Sequence, residues 1–409
     1  MEYGVTIQIA GEDVFAGTLY ANVRRGIESA SFRYAPSYLA DGSAFPLAPD
    51  MPLVDGAIRT QGESLFRVFG DCLPDRWGRN LMLRAERRLA REEGRAVRTL
   101  FEHDYLAGVD DCARQGALRI WRDGEPVADM AGGVPREVRI PDLLAAADRA
   151  AEDLDADVGD LVAAGSSLGG ARPKASIVDE HDVLCIAKFP KSDELPFEDV
   201  CAWEKTALDL AGQAGIRVPA SRLLRVGSRS VIILSRFDRD GGWRVPYISG
   251  MTALQGSDGE RYSYLDLVAF LEEEGASPDA DIRELWRRVL FSCAIGNTDD
   301  HMRNHGFLRE GSGWRLSPVF DVNPTAGDNP KYLCSAVDFD NDEAVPQVVV
   351  DACEWYRLTH EEAVAEARRM ARALARWRKV ATANGIAKAS IEHMASCMEH
   401  GVSQLESVR

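Results

Sequence analysis

An apolar run, Val289-Leu-Phe-Ser-Cys-Ala-Ile295, stops at a glycine, and Asp299, Asp300, His301 and Asn304 follow it closely. The run has the character of a buried helix end, which Gly296 breaks. A chain that drives an apolar helix into its core and releases carboxylates, an imidazole and an amide from the end has to fold around that loop. Rigid elements feeding polar side chains into one tight loop are how scaffolds present chemistry. Asn, Thr and Asp are also ordinary turn formers, so on this stretch alone a capped turn and a reactive loop both stay open.

A second carboxylate narrows the choice. Trp314-Arg-Leu-Ser-Pro-Val-Phe-Asp321 reads as a short strand with an acid at its exit, and Asn323-Pro-Thr ends the run. Asn304 stands five residues after Asp299, and Asp321 follows about twenty residues on. This resembles the protein-kinase layout of catalytic loop, hairpin and metal-binding Asp. Phosphoryl transfer needs one carboxylate to hold the attacking hydroxyl. It also needs an oxygen cage for magnesium, built from one or two carboxylates with phosphate oxygens and water.

Composition sets the outer bounds. A length of 409 residues allows two domains or one two-lobed unit, and 45% hydrophobic residues supply a full core. No stretch reaches the roughly 18 apolar residues of a membrane span. Nothing at the start, MEYGVTIQIAGEDVF, resembles a secretory signal. The scattered cysteines form no C-x-x-C pair and read as reduced thiols, so the expected location is the cytoplasm and a zinc site is not expected. A formal net charge of -17 disfavours bare nucleic acid as a direct ligand and suits a basic protein partner.

Taken in order, residues 4–33 alternate as strands separated by Gly/Asp or Arg-Gly turns, a small antiparallel meander. A proline-punctuated stretch leads to a helix from Asp75 to about Glu93, with Trp77, Leu81, Leu83 and Leu89 near one face and arginines on the other. Pro141 opens another helix. Ala164-Gly-Ser-Ser-Leu-Gly-Gly-Ala-Arg-Pro-Lys-Ala-Ser-Ile177 follows. Gly169 and Gly170 let a backbone approach phosphates, with Arg172 and Lys174 supplying charge, although a plain turn fits as well. Val183-Leu-Cys-Ile-Ala-Lys188 is a strand ending in a lysine among apolar residues, and an ammonium there calls for an anion unless it sits at a wet edge. Glu198, Asp199 and Glu204 in the next helix are possible partners. Ser230 to Leu234 is an apolar strand that turns polar at Ser235. Residues 240–262, rich in Gly and Asp, read as a loop, and the remainder as helices.

In this order the pieces resemble the HipA family of serine/threonine kinase toxins from bacterial toxin–antitoxin modules. The resemblance spans nearly the whole chain. It rests most heavily on Ile295-Gly-Asn-Thr-Asp-Asp-His-Met-Arg-Asn304, Leu316-Ser-Pro-Val-Phe-Asp321 and Ser167-Leu-Gly-Gly-Ala-Arg-Pro-Lys174. Weaker pieces are Phe32-Arg-Tyr-Ala-Pro-Ser-Tyr-Leu39, Pro46-Leu-Ala, Leu73-Pro-Asp-Arg-Trp-Gly78 and Gly116-Ala-Leu118.

The resemblance implies an α+β, two-lobed protein-kinase-like fold with a strand-rich N-terminal subdomain and a mostly helical C-terminal lobe. The implied segments are an N-terminal subdomain over 1–125, an N-lobe with glycine loop and hinge over 126–240, and a helical C-lobe over 241–409. It implies that Asp299 is the catalytic base, that Asn304 and Asp321 bind Mg²⁺, and that His301 belongs to the catalytic loop with a structural role. ATP would meet Ser167, Leu168, Gly169, Gly170, Lys174 and Lys188, with Ser235, Arg236 and Phe237 at the hinge. Ser167, or the adjacent Ser166, matches the autophosphorylated serine of the family. A phosphoserine would add about -1.5 to -2 charges beside a loop built to receive phosphate. The implied partners are a HipB-like DNA-binding antitoxin and a protein substrate, an aminoacyl-tRNA synthetase in family relatives. Two other readings share these residues: a corepressor module with vestigial kinase activity, and a small-molecule kinase.

Overall fold

The structure, a computed structural model, describes every residue except 129–133, 153–158, 160, 162–171 and 196. The chain divides into two compact units. One comprises Met1–Ser192 with Ser235–Ile248, the other Asp193–Leu234 with Ser249–Arg409.

The first unit is built on the meander. Strands β1 (Glu2–Ile9), β2 (Glu12–Arg24), β3 (Ile27–Tyr34), β4 (Ala57–Arg59), β5 (Leu118–Arg122) and β6 (Glu125–Pro126) form a sheet in the order β4-β3-β2-β1-β5-β6. Two-residue turns join its hairpins, Ala10-Gly11, Arg25-Gly26 and Asp123-Gly124, with positive φ at both positions of each. That conformation matches the right-handed twist of paired strands. Tyr3, Val5 and Ile7 alternate into the core, as period-two patterning requires.

The proline-rich segment is organised by two tyrosines of the Phe32–Leu39 motif. Tyr34 Oη donates to the Met51 carbonyl at 2.7 Å and accepts from the Leu47 amide at 3.1 Å. Tyr38 Oη donates to the Phe45 carbonyl at 2.9 Å, and the two rings stack at 5.5 Å. Helix α1 (Arg76–Glu92) is capped by Asp75, which accepts from the Gly78 amide at 2.7 Å. Leu81 and Ala90 bury, but Leu89 is 45% exposed, so the expected apolar face is narrower than its sequence suggests. The hairpin of β7 (Lys174–Val178) and β8 (Leu184–Lys188) belongs to the same unit.

Residues 240–262, expected to be a loop, carry regular structure. Arg239–Asp240 pairs with Trp243–Arg244 about a Gly241-Gly242 turn, and Gly250–Ala253 is a buried helical turn. Hydrophobic patterning missed this because buried ion pairs and two glycines, rather than apolar residues, set the hairpin.

The second unit centres on helix α2 (Pro278–Ile295), which is buried without a break from Arg288 to its end. Trp286 Nε1 donates to the Val349 carbonyl at 2.8 Å. Helix α3 (Lys388–Ser407) crosses α2 so closely that a methyl group on Gly401 would run into the Ala294 carbonyl oxygen. Glu284 and Arg288, one turn apart on α2, pair in the interior at 3.1 Å, and Arg288 also donates to the Ser317 carbonyl at 2.6 Å. Those bonds fix the hairpin that follows, β9 (Gly306–Glu310) and β10 (Gly313–Leu316), against the helix.

Candidate active site

In the second unit, α2 ends as its sequence requires. Gly296 takes φ 66, ψ 32, and the Asn297 amide donates back to the Ser292 carbonyl at 2.8 Å. A left-handed residue at this position frees the chain to leave the helix axis. The next residues divide their labour. Asp300 is buried: it accepts from Tyr264 Oη at 2.9 Å and Ser292 Oγ at 3.2 Å, and His305 Nε2 lies 3.2 Å from its other oxygen. Burial alone would push this carboxyl up. The His305 ring and the hydroxyl donors outweigh burial and hold it below its ordinary range.

Asp299, by contrast, presents its side chain to solvent. Its backbone oxygen accepts from Asn304 Nδ2 at 2.8 Å, and the Asn304 amide closes a short 3₁₀ turn on the His301 carbonyl. With Nδ2 engaged, the amide oxygen of Asn304 faces away from that bond and remains for another ligand. His301 is half-buried, and among the described residues its buried Nδ1 has no hydrogen-bond partner.

Asp321 lies beyond the exit of β10. Its φ of 59 places it in the left-handed region, which costs a non-glycine residue about 1 kcal/mol or more. Buried Val319 and Val322 on either side hold it there. Asp321 offers a carboxylate and Asn304 an amide oxygen. These hard oxygen donors suit Mg²⁺, which takes one or two carboxylates and fills its shell with phosphate oxygens and water. Burial, then the nearby Asp299 and Asp300 carboxylates, push the Cys334 thiol up. Its Sγ meets the Thr298 carbonyl at 3.1 Å.

In the first unit, Lys188 ends β8 and is 9% exposed, so the wet-edge alternative does not hold. Its register partner is Lys174, whose ammonium lies 2.9 Å from Asp75 with both side chains buried. Lys174 is thus engaged with the cap of α1, which gives the Leu73–Gly78 motif a structural reason. Burial pushes the Asp75 carboxyl up against the pull of Lys174.

Arg236 is likewise held inside its unit. Its guanidinium donates to Asp238 at 2.6 Å and to the Ala113 carbonyl at 3.0 Å, while its amide donates to the Leu184 carbonyl at 3.0 Å. Ser235 and Phe237 stay half-exposed on either side. Ser166, Ser167, Leu168, Gly169 and Gly170 lie outside the described residues. In the second unit, Asp199 caps its own helix and accepts from Ser230 Oγ at 2.7 Å and from Arg225 at 3.1 Å, while Glu204 is buried.

The architecture is α+β, of the two-lobed kinase-like kind, and a solved structure shares it. That structure is a complex described as the Shewanella oneidensis MR-1 toxin–antitoxin system HipA, HipB and its operator DNA. The match has a TM-score of 0.70 and 18% identity, and covers 99% of this chain and 97% of that one. The HipA-like C-terminal domain family matches residues 166–396, and the HipA N-terminal domain family matches residues 7–102. The chain belongs to the HipA family. Two curated relatives are a protein named "Putative kinase" of Haemophilus influenzae, 27% identical over 180 residues, and "Putative kinase Y4mE" of Sinorhizobium fredii, 24% identical over 151. These alignments take in 38% and 34% of this chain, but only 52% and 34% of the relatives' lengths. Among the described residues, no helix is long and apolar enough to cross a membrane.

Proposed function

We propose that this chain is an ATP-dependent serine/threonine protein kinase serving as the toxin of a toxin–antitoxin module. The observation that carries the reading is the divided pair in the catalytic loop. Asp300 is buried in a hydrogen-bond network that fixes the loop, and this leaves Asp299 exposed beside Asn304. A carboxylate presented in this way can accept the hydrogen bond of a substrate hydroxyl and orient it for attack.

On this reading Asn304 and Asp321 hold Mg²⁺, which when bound neutralises charge on the nucleotide phosphates. Lys188 steadies those phosphates, and the loop leading to Lys174 covers them. Ser235 and Phe237 meet the adenine, while Arg236 anchors the hinge from behind. His301 keeps the loop in register. Residues 1–125 form the N-terminal subdomain, 126–240 the N-lobe and 241–409 the C-lobe. Ser167 or Ser166 is the autophosphorylated residue. The partner is a HipB-like antitoxin, and the substrate an aminoacyl-tRNA synthetase or another protein of translation.

The test is intact-mass analysis after incubation with Mg²⁺ and ATP. Wild type should gain phosphate at Ser167 or Ser166. Asp299→Asn should slow that gain by about 10²–10⁴-fold. Equal phosphate on the two proteins would reject the reading.

A further inference from the structure

Beyond Asp321 the second unit carries a hairpin-like excursion that the chemistry above does not use. Tyr332 bridges to Glu343, the Leu333 amide donates to the Asp342 carbonyl at 2.7 Å, and the Val337 amide donates to the Asn341 carbonyl at 2.7 Å. Asp338 closes the tip by accepting from the Asn341 amide at 3.1 Å. The tip is pinned from below by Ser263, which donates to the Asp338 carbonyl, and by Tyr356, which donates to the Val337 carbonyl.

At this fixed tip stands Phe339, 71% exposed. It packs edge-on against Trp355, itself 54% exposed, with ring centroids 5.0 Å apart. Large aromatic rings held rigidly in water are an interaction surface, since isolated exposure would gain nothing from being so well supported. The sequence around them is acidic: Asp338, Asp340, Asp342 and Glu343 on the hairpin, and Glu354 beside the tryptophan. Asp342 is already paired with Arg261 at 2.8 Å, but exposed rings in so acidic a stretch favour a cation, arginine above all, which stacks on a ring while nearby carboxylates match its charge.

Position decides what kind of cation. At the near end of the same hairpin, Cys334 Sγ touches the Thr298 carbonyl, one residue before Asp299. Phe339 follows Cys334 by five residues, and an extended chain spans about 3.3–3.6 Å per residue. The backbone of the aromatic tip therefore lies no more than about 18 Å from Cys334, which itself touches the loop that would hold the acceptor hydroxyl, and an extended peptide covers that span in at most about five residues.

We infer that Phe339 and Trp355, with the carboxylates of this stretch, dock an arginine- or lysine-bearing segment of the protein substrate within a few residues of its phosphorylated serine or threonine. This inference rests on the kinase reading and narrows its substrate class.

The experiment uses the full chain and peptides with a central serine in an alanine background, an Arg-Arg pair being moved one position at a time. Wild type should prefer the pair at a particular position within a few residues of the serine. Phe339→Ala with Trp355→Ala should raise KM for that peptide by about tenfold and leave kcat unchanged. Autophosphorylation should not change in this variant. Asp340→Lys with Glu354→Lys keeps the rings and should erase the arginine preference, so the inference stays testable if the alanine variant folds poorly. Three outcomes overturn it while the kinase reading stands: no preference for the cationic pair, the same preference in both variants, or loss of antitoxin binding with peptide kinetics intact. Absence of Asp299-dependent phosphate on any peptide and on the protein itself would instead reject the kinase reading.

Discussion

Asp299 and Asp300 are neighbours in opposite environments. Asp300 accepts hydrogen bonds from two buried hydroxyls and faces His305, whereas Asp299 is exposed. Removing the Asp300 carboxylate takes away the acceptor of Ser292 Oγ and leaves Tyr264 Oη only the longer bond to the Asp300 backbone carbonyl at 3.3 Å, and an unsatisfied buried group costs about 1–3 kcal/mol. Asp300→Ala should therefore lower the midpoint of thermal unfolding by several degrees, as read by circular dichroism. Asp299→Asn should leave the midpoint within error of wild type. Equal shifts would mean that the two residues had been assigned the wrong tasks. The spacing of Asp299, Asn304 and Asp321 was legible in the sequence because it is local. The division between Asp299 and Asp300 was not, since Tyr264 lies 36 residues from Asp300. The Lys174–Asp75 pair was hidden for the same reason: a motif shows which residues recur together, and only folding shows which charges meet.

Elements built from local patterning were the easiest to read. The meander followed from alternation and glycine turns, and α2 from an apolar run ending at Gly296. The hairpin over 239–244 and the exposed Leu89 were not foreseen, because ion pairs and neighbouring elements decide them. Gly401 tests the same contest between local preference and packing. In a helix interior, replacing glycine by alanine ordinarily gains about 0.5–1 kcal/mol. Here the added methyl meets the Ala294 carbonyl of α2, a backbone atom that cannot rotate aside. Overpacking of this kind costs about 1–3 kcal/mol. Gly401→Ala should therefore lower the urea midpoint, with the slope unchanged. A raised midpoint would show that the two helices separate at little cost. Ala294 lies two residues before Gly296, so a displaced α2 would also carry the loop of Asp299 and Asn304 with it.

At the scale of the molecule, each unit holds a buried carboxylate whose charge the fold protects, and this sets the response to acid. In the first unit, Asp238 is buried against Arg236 and Arg239 and accepts from the Gly116 amide at 2.7 Å. Burial works against its charge, but the two guanidinium groups more than offset that and hold the carboxyl well below its usual range. Burial also lowers Arg239, to about 10, still charged at neutral pH. In the second unit, Asp300 is lowered as well. A carboxyl lowered in the folded state stabilises the protein fully above its unfolded value of about 3.9, and that stabilisation is lost as pH falls through the folded value. From these groups the urea midpoint should stay flat between about pH 7 and 5 and fall below about pH 4. Asp238→Asn retains the shape and removes one titrating group, so its midpoint should start lower at neutral pH and fall less steeply in acid. Asp238→Ala leaves two buried guanidiniums without their carboxylate and should cost about 3–5 kcal/mol. Hydrogen exchange of the Asp238→Ala protein at neutral pH should show lost protection in peptides from 110–122 and 235–248, with peptides from 278–295 close to wild type. An acid slope identical in wild type and Asp238→Asn would mean that this ion cluster, for all its burial, does not govern how the molecule meets low pH.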